Sequence, residues 1–273
     1  MLRSLSEPEG YRLEALDGAI GRCKDFLFDD ERWTLRYMVA DTGGWLSGRQ
    51  VLISPAHLDS PDWQLQRLPV KLTQNQIEQS PPLEDDAPIS RRYEQAYNSF
   101  HALPDYWLGS GLWGDFPVPT SLTSTQDARL EPVVGESAAV ADDSESDSDP
   151  SKETEDVHLR SVREVIGYSL LAGEAQDEGE EPEKIGRVVD FIVDDSSWAL
   201  YALVVDSSRL PLSKKVLIAV DTITDIDWVS RQVCADLPAD FIDKAPPFDP
   251  NVPINARLEV VRYDTVGRPY AAS

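Results

Sequence analysis

The chain has 273 residues, 41% of them apolar, and carries 49 acidic against 25 basic side chains, a formal net charge of −24. Such acidity repels phosphate backbones and anionic headgroups, so nucleic-acid and anionic-membrane binding are disfavoured and no nucleic-acid partner is expected. No apolar run approaches the roughly 18 residues a membrane span needs. The start, Met1-Leu2-Arg3-Ser4-Leu5-Ser6-Glu7-Pro8, lacks the apolar core of a signal peptide, so a cytoplasmic protein is expected.

In chain order, residues 10–16 read as a first strand closed by the turn pair Asp17-Gly18. Residues 20–28 follow as a second strand, and Asp29-Asp30-Glu31 makes a hairpin turn. Residues 33–40 form the third strand, with Trp33, Leu35, Tyr37 and Val39 on one face by the period of two. Asp41-Thr42-Gly43-Gly44 is another turn, and 51–53 a short apolar strand. Weaker strands are expected at 63–68 and 70–72. Thr73 and Gln76 have capping-box spacing and open a short helix that Pro81-Pro82 stops. Short strands with turns between them argue a small antiparallel β-barrel over 1–82.

Residues 83–120 leave that barrel. A helix is expected over 90–100, with Tyr93, Ala96, Tyr97 and Phe100 on one face. After it comes an aromatic, glycine-rich stretch without period, Tyr106-Trp107-Leu108-Gly109-Ser110-Gly111-Leu112-Trp113-Gly114. Residues 121–156 hold 11 acidic and 2 basic side chains and read as a disordered linker. A second unit spans 157–247, its first strand expected at 159–165. It carries an acidic insertion at 169–183 and is followed by a C-terminal extension over 248–273, equivalent to 83–104. The two acidic stretches account for −15 of the net charge.

The second unit is a copy of the first. From Gly21 to Pro104 the sequence matches Gly186 to Pro269 without a gap, with about 24 identities in 84 positions. Gly21, Phe26, Asp29, Trp33 and Asp41 return as Gly186, Phe191, Asp194, Trp198 and Asp206, and Val51-Leu52-Ile53 as Val216-Leu217-Ile218. The composition suits two small cores, and the duplicated units are expected to pack as an intramolecular pseudo-dimer or to self-associate. Cys23 and Cys234 fall at non-equivalent places and read as small buried thiols in a reducing compartment.

The repeated Gly-Arg-x-x-Asp-Phe-x-x-Asp-Asp string (Gly21 to Asp30, Gly186 to Asp195), the Trp-x-Leu strand that ends on Asp, and the closing Val-Leu-Ile resemble the PRC-barrel family. That barrel forms the cytoplasmic body of the photosynthetic reaction-centre H subunit and the C-terminal half of the ribosome-maturation factor RimM. Ser90-Arg91 and Tyr106-Trp107 with Leu112-Trp113-Gly114 resemble the segment after the first barrel in bacterial two-barrel members. The resemblance implies two PRC-type barrels and a protein-docking or scaffolding role. Its alternatives are an H-chain-like photosynthetic accessory factor and a ribosome-assembly factor, the latter at odds with the acidity.

Chemistry-bearing patterns are sparse. The acid pairs Asp29-Asp30 and Asp194-Asp195 suit turns better than acid–base work. His57, His101 and His158 are scattered, without metal-ligand spacing. The Ser/Asp run 142–149 lacks the central Gly and closing Glu of a calcium loop. No catalytic residues, metal or cofactor are therefore expected. Trp33, Trp63, Trp198 and Trp228 read as core. Tyr106, Trp107, Leu112 and Trp113 either cover the barrels or seal the contact between them, or they bind a still unidentified protein partner.

Overall fold

The computed structural model describes residues 1–83, 89–127, 159–173, 182–207 and 214–249, with the strand residues 262–263 and 269–270. The protein is mainly β, with two sheets and a few short helices. The first unit runs β1 (Leu2–Ser4), β2 (Arg12–Ala15), β3 (Gly18–Asp29), β4 (Thr34–Asp41), β5 (Gln50–Ile53), β6 (Arg67–Pro69), α1 (Gln74–Glu78), α2 (Arg91–Phe100) and α3 (Thr120–Asp127). The second runs β7 (Leu159–Ser161), α4 (Val162–Val165), β8 (Ser169–Ala172), β9 (Lys184–Asp194), β10 (Leu200–Ser207), β11 (Lys214–Ala219), β12 (Ile223–Asp227), β13 (Gln232–Ala235) and α5 (Phe241–Lys244). A small separate pair, β14 (Arg262–Tyr263) and β15 (Pro269–Tyr270), comes last.

The strand orders match over five strands, β5-β4-β3-β2-β6 in one sheet and β11-β10-β9-β8-β13 in the other, where β12 adds a sixth beside β13. Neither path closes on itself among the described residues. One pair in each sheet, β2 with β6 and β8 with β13, runs parallel, which corrects the expectation of purely antiparallel units. The chain between those strands is long enough for the crossover that parallel pairing needs.

Local chemistry explains most boundaries. The capping box at α1 is complete: the Gln76 amide donates to Thr73 Oγ1 at 3.3 Å and the Thr73 amide to Gln76 Oε1 at 2.9 Å. Residues 63–66 are a turn rather than a strand. The Asp62 carboxylate accepts from the Gln64 and Leu65 amides at 3.1 and 2.9 Å, and this side-chain turn outcompetes the apolar pattern. The segment 70–72 keeps only a single bridge, Val70 to Leu58. The expected linker begins as helix α3, and the expected acidic insertion begins as strand β8. The rest of both, with the Ser/Asp run and His158, lies outside the described residues.

The repeated Gly and Asp of each unit serve one close approach. Gly21 has φ 134°, and a Cβ there would stand 2.0 Å from the Asp41 carbonyl oxygen. At Gly186 a Cβ would meet Val205 Cγ1 at 2.4 Å and the Asp206 carbonyl at 3.0 Å. Both positions therefore exclude side chains where the long strand crosses its neighbour.

The two units contribute to one main buried cluster, beside a small second one of Ile192, Ala202 and Val204 in the second unit. Leu13, Ile20, Phe26, Phe28 and Leu35 belong to the same buried cluster as Val188, Phe191, Val193, Leu200 and Val216. Phe28 meets Phe191 across the junction at 5.7 Å between ring centroids. Burying each such side chain contributes roughly 1.5–3 kcal/mol, so this junction is a principal source of stability.

The units also exchange strands. β1 pairs with β9 of the second unit, and β7 pairs with β3 of the first, both antiparallel. The segment 159–165 thus corresponds to the chain's opening residues, and β8, not 159–165, is the counterpart of β2. Polar clasps repeat on each side. Ser4 Oγ donates to Asp190 and Ser161 Oγ to Asp25. Each of these carboxylates also accepts a backbone amide at 3.1 Å, from Ser6 and Arg163 respectively. Arg3 lies 4.3 Å over Trp63 and reaches Asp195; Arg160 lies 4.2 Å over Trp228 and pairs with Asp30 at 3.1 Å.

The hairpin turns complete the junction. Trp33 and Trp198 both have positive φ, 47° and 60°, a strained conformation for a bulky residue. It turns their carbonyls outward, so that the Leu35 amide donates to Trp198 O at 2.9 Å and the Leu200 amide to Trp33 O at 2.7 Å. Trp198 is buried, while Trp33 is half-buried and stacks on Phe28 at 5.6 Å. Of the two thiols, both free, Cys23 is buried and Cys234 only half-buried.

Candidate functional site

The candidate site is the aromatic stretch after α2, which forms a cap on the outer face of β3 and β4. Alternation along β4 predicts that Thr34 and Arg36 face water. Both are instead buried: the cap covers Arg36, which is 1% exposed, and Thr34 bridges to Ala199 of the second unit. The Arg36 guanidinium donates to Asp29 Oδ2 at 2.8 Å and to the Leu112 carbonyl. It also lies 3.7 Å over the Tyr106 ring and 5.1 Å from the centre of Trp113. Removing two charges from water is costly, and this pair is tolerable because the carboxylate is satisfied twice over. Asp29 Oδ1 accepts the Glu31 and Arg32 amides at 3.1 and 2.9 Å, the turn role that the sequence suggests.

A second arginine pins the cap's backbone. Arg32 donates to the carbonyls of Tyr106, Gly109 and Gly111 at 3.2, 3.3 and 3.0 Å. Gly109 permits the fold-back, since a Cβ there would stand 2.3 Å from the Gly114 carbonyl carbon. Helix α2 supplies the third anchor. The Tyr106 hydroxyl donates to Glu94 Oε1 at 2.7 Å, and Arg91 donates to Glu94 Oε2 at 2.9 Å. Burial raises the Glu94 pKa, against the lowering effects of Tyr106, Arg91 and Arg36.

The expected partner-binding residues divide. Trp113 is 2% exposed, and its Nε1–H donates to the Ser197 carbonyl of the second unit at 2.7 Å, so the ring seals the junction of the units. Tyr106 is 5% exposed, and Leu112 is half-buried against the core. Trp107 is half-buried, with the Arg91 guanidinium 4.3 Å over its ring. Leu108, beside it, is 80% exposed.

Helix α2 docks by a different face from the one its apolar spacing suggests. Glu94, Tyr97, Asn98 and the cap residue His101 are buried, whereas Ala96 and Phe100 are exposed. Tyr97 meets Tyr37 edge-on at 5.1 Å, and its hydroxyl accepts the Ser54 amide at 3.0 Å. Two histidines that look scattered in sequence come together here: His57, in the 3-10 turn Pro55–His57, and His101, with ring centroids 5.1 Å apart.

Among the described residues the second unit shows no such cap. Ser197 and Tyr201 stand where the first unit has Arg32 and Arg36, and Tyr201 is 50% exposed. Asp194 keeps the turn role, accepting the Ser196 amide at 3.0 Å. The positions matching Tyr97 and Asn98 of α2, Arg262 and Tyr263, lie in β14 rather than a helix.

The strand exchange does not show in the repeat as aligned, although a signal for it exists. Leu-Arg-Ser-x-x-Glu-x-x-Gly-Tyr occurs at 2–11 and again at 159–168, at an offset of 157 rather than 165. Tyr11 and Tyr168 accordingly occupy equivalent places, each 5.9 Å from its unit's tryptophan, Trp63 or Trp228. Among the described residues no helix is long and apolar enough to cross a membrane. No protein-family model matches the chain, and no curated protein matches it.

Proposed function

We propose that this chain is a non-enzymatic scaffold, built on two PRC-type barrels, that docks a protein partner through the outward tip of the aromatic cap. The observation that carries the reading is Leu108. It stands 80% exposed beside Trp107, on a backbone that two arginines hold by its carbonyls. An apolar tip on a segment fixed in this way loses little conformational entropy on binding, which favours a hot spot. Tyr106, Leu112 and Trp113 are the platform, and Trp107 and Leu108 the contact. The barrel reading is supported by the long strand β3. Its first half pairs with β2 and its second with β4, and bulges at Cys23/Asp25 and Leu27/Phe28 bend it between them.

The test is affinity capture from native extract, comparing the wild-type chain with a Trp107→Ala, Leu108→Ala variant. The expected result is a partner retained by wild type and lost by the variant, with unchanged circular dichroism. Equal capture by both would overturn the docking role of the tip.

A further inference from the structure

The joint between α2 and the first sheet holds two buried histidines. His57 is 5% exposed, and among the described residues its Nδ1 has no hydrogen-bond partner. The His101 ring, 5.1 Å away, belongs to the C-cap of α2 and is also buried. Ser80 Oγ lies 2.8 Å from His101 Nε2 and donates its own proton to the Gln76 carbonyl at 3.0 Å. A hydroxyl has one proton, so Nε2 must be the donor to Ser80, and neutral His101 carries its hydrogen there.

We propose that His57 and His101 form an acid-sensitive latch: when they take up protons, α2 separates from the 3-10 turn and carries the aromatic cap off the first sheet. A charged imidazole donates from both nitrogens, and at His57 Nδ1 that N–H would find no acceptor. The charges acting on His57 are those of His101 and Lys71, and both repel a proton there. Arg49, a further cation, donates to the Ser80 carbonyl at 2.8 Å. Among the described side chains, the other elements against the turn offer no relief. In α3 the residues Thr120–Thr123 have no titratable group. In β4, Arg36 is engaged by Asp29, and Asp41 accepts the Gly43 amide. On α2, Glu94 is held by Tyr106 and Arg91.

Burial drives both rings in the same direction, His57 to a pKa of about 3 and His101 to about 4. Once released into water, each would return to about 6.5. At pH 5 this difference favours the released form by about thirtyfold per histidine. Separating α2 from the turn relieves both charges and withdraws Tyr97, Leu103 and Trp113 from the shared buried cluster, but it leaves the strand pairing in place, which makes it a cheaper response than global unfolding. The consequence for partner docking rests on the proposed role of the cap's tip, but the latch itself does not.

The test is amide hydrogen exchange of the full chain at pH 7.5 and pH 5, corrected for intrinsic rates. Peptides over 91–116 are expected to lose at least tenfold in protection at pH 5, while those over β4 and β10 keep theirs. A His57→Leu, His101→Gln variant is expected to keep the cap protected at pH 5. Equal protection of the wild type at both pH values would overturn the latch, as would loss of protection in the variant matching that of the wild type. If the variant does not fold at pH 7.5, titration of the wild-type imidazole proton resonances decides: both midpoints below 5 support the latch, and ordinary midpoints overturn it. None of these readouts involves a partner, so failure of the capture experiment leaves the latch standing.

Discussion

The two units share a strand order, a pair of strained tryptophans and a clasp on each exchanged strand, yet among the described residues only the first shows an arginine-held cap. Two residues of the β3–β4 hairpin mark the difference, together with the cap segment 106–114, which lies beyond the repeat. Arg32 and Arg36 give the first unit six hydrogen bonds to the cap's carbonyls and to Asp29. Ser197 and Tyr201 give the second unit nothing comparable, and Asp194 remains a turn residue with no buried cation. The duplicated framework therefore fixes where the hairpin lies, and the residues on its outer face decide what it carries.

The comparison breaks most visibly at Arg36. Arg36→Met would leave Asp29 buried without its cation and is expected to cost about 3–5 kcal/mol. Tyr201→Met, at the matching position, should stay within about 1 kcal/mol. Urea unfolding of both variants checks this, and equal losses would mean that the cap does not distinguish the units. Next in size is Trp113→Phe. It deletes the donor to Ser197 and should cost about 1–3 kcal/mol, partly by leaving that carbonyl unpaired, again read by the urea midpoint.

Acid should sharpen the contrast. His57 and His101 have lowered pKa values when folded, so the stability they permit is present above about 6.5 and is lost as pH falls toward 4. The expected loss at pH 5 is about 1–2 kcal/mol per histidine. Asp25 and Glu94, both raised by burial, act in the opposite sense and gain stability on acidification. Urea midpoints of wild type and His57→Leu at pH 7.5 and 5 separate the two contributions. Smaller still, Ser4→Ala and Ser161→Ala should each cost about 1 kcal/mol, and by similar amounts, because each removes one hydroxyl from an equivalent carboxylate. Leu108→Ala should change stability by less than about 0.5 kcal/mol, as expected for an exposed side chain.

Much of the framework can be read from sequence alone. The Gly-Asp crowding, the Asp29 and Asp194 turns and the Thr73 capping box stem from short-range rules that act within a few residues. The paths of β1 and β7 do not, because a three-residue strand has no period and its partner lies in the other unit. Burial of Arg36 is equally hidden: alternation places it on a solvent face, and only the cap, some 70 residues further along, reverses that. The pairing of His57 with His101 depends on how α2 docks, which its apolar spacing misdirects toward Ala96 and Phe100.

The exchanged strands also impose an order on synthesis. The first unit's edge at β3 stays open until residues 159–161 are made, long after β4 ends at Asp41. At ribosomal rates of about 5–20 residues per second, that edge waits on the order of 6–24 s beside nascent chain. Most of the chain that emerges late in this interval is the acidic stretch 121–156. Like charge on neighbouring nascent chains opposes edge-to-edge pairing between them. The acidity of the finished chain would thus also protect an unfinished one.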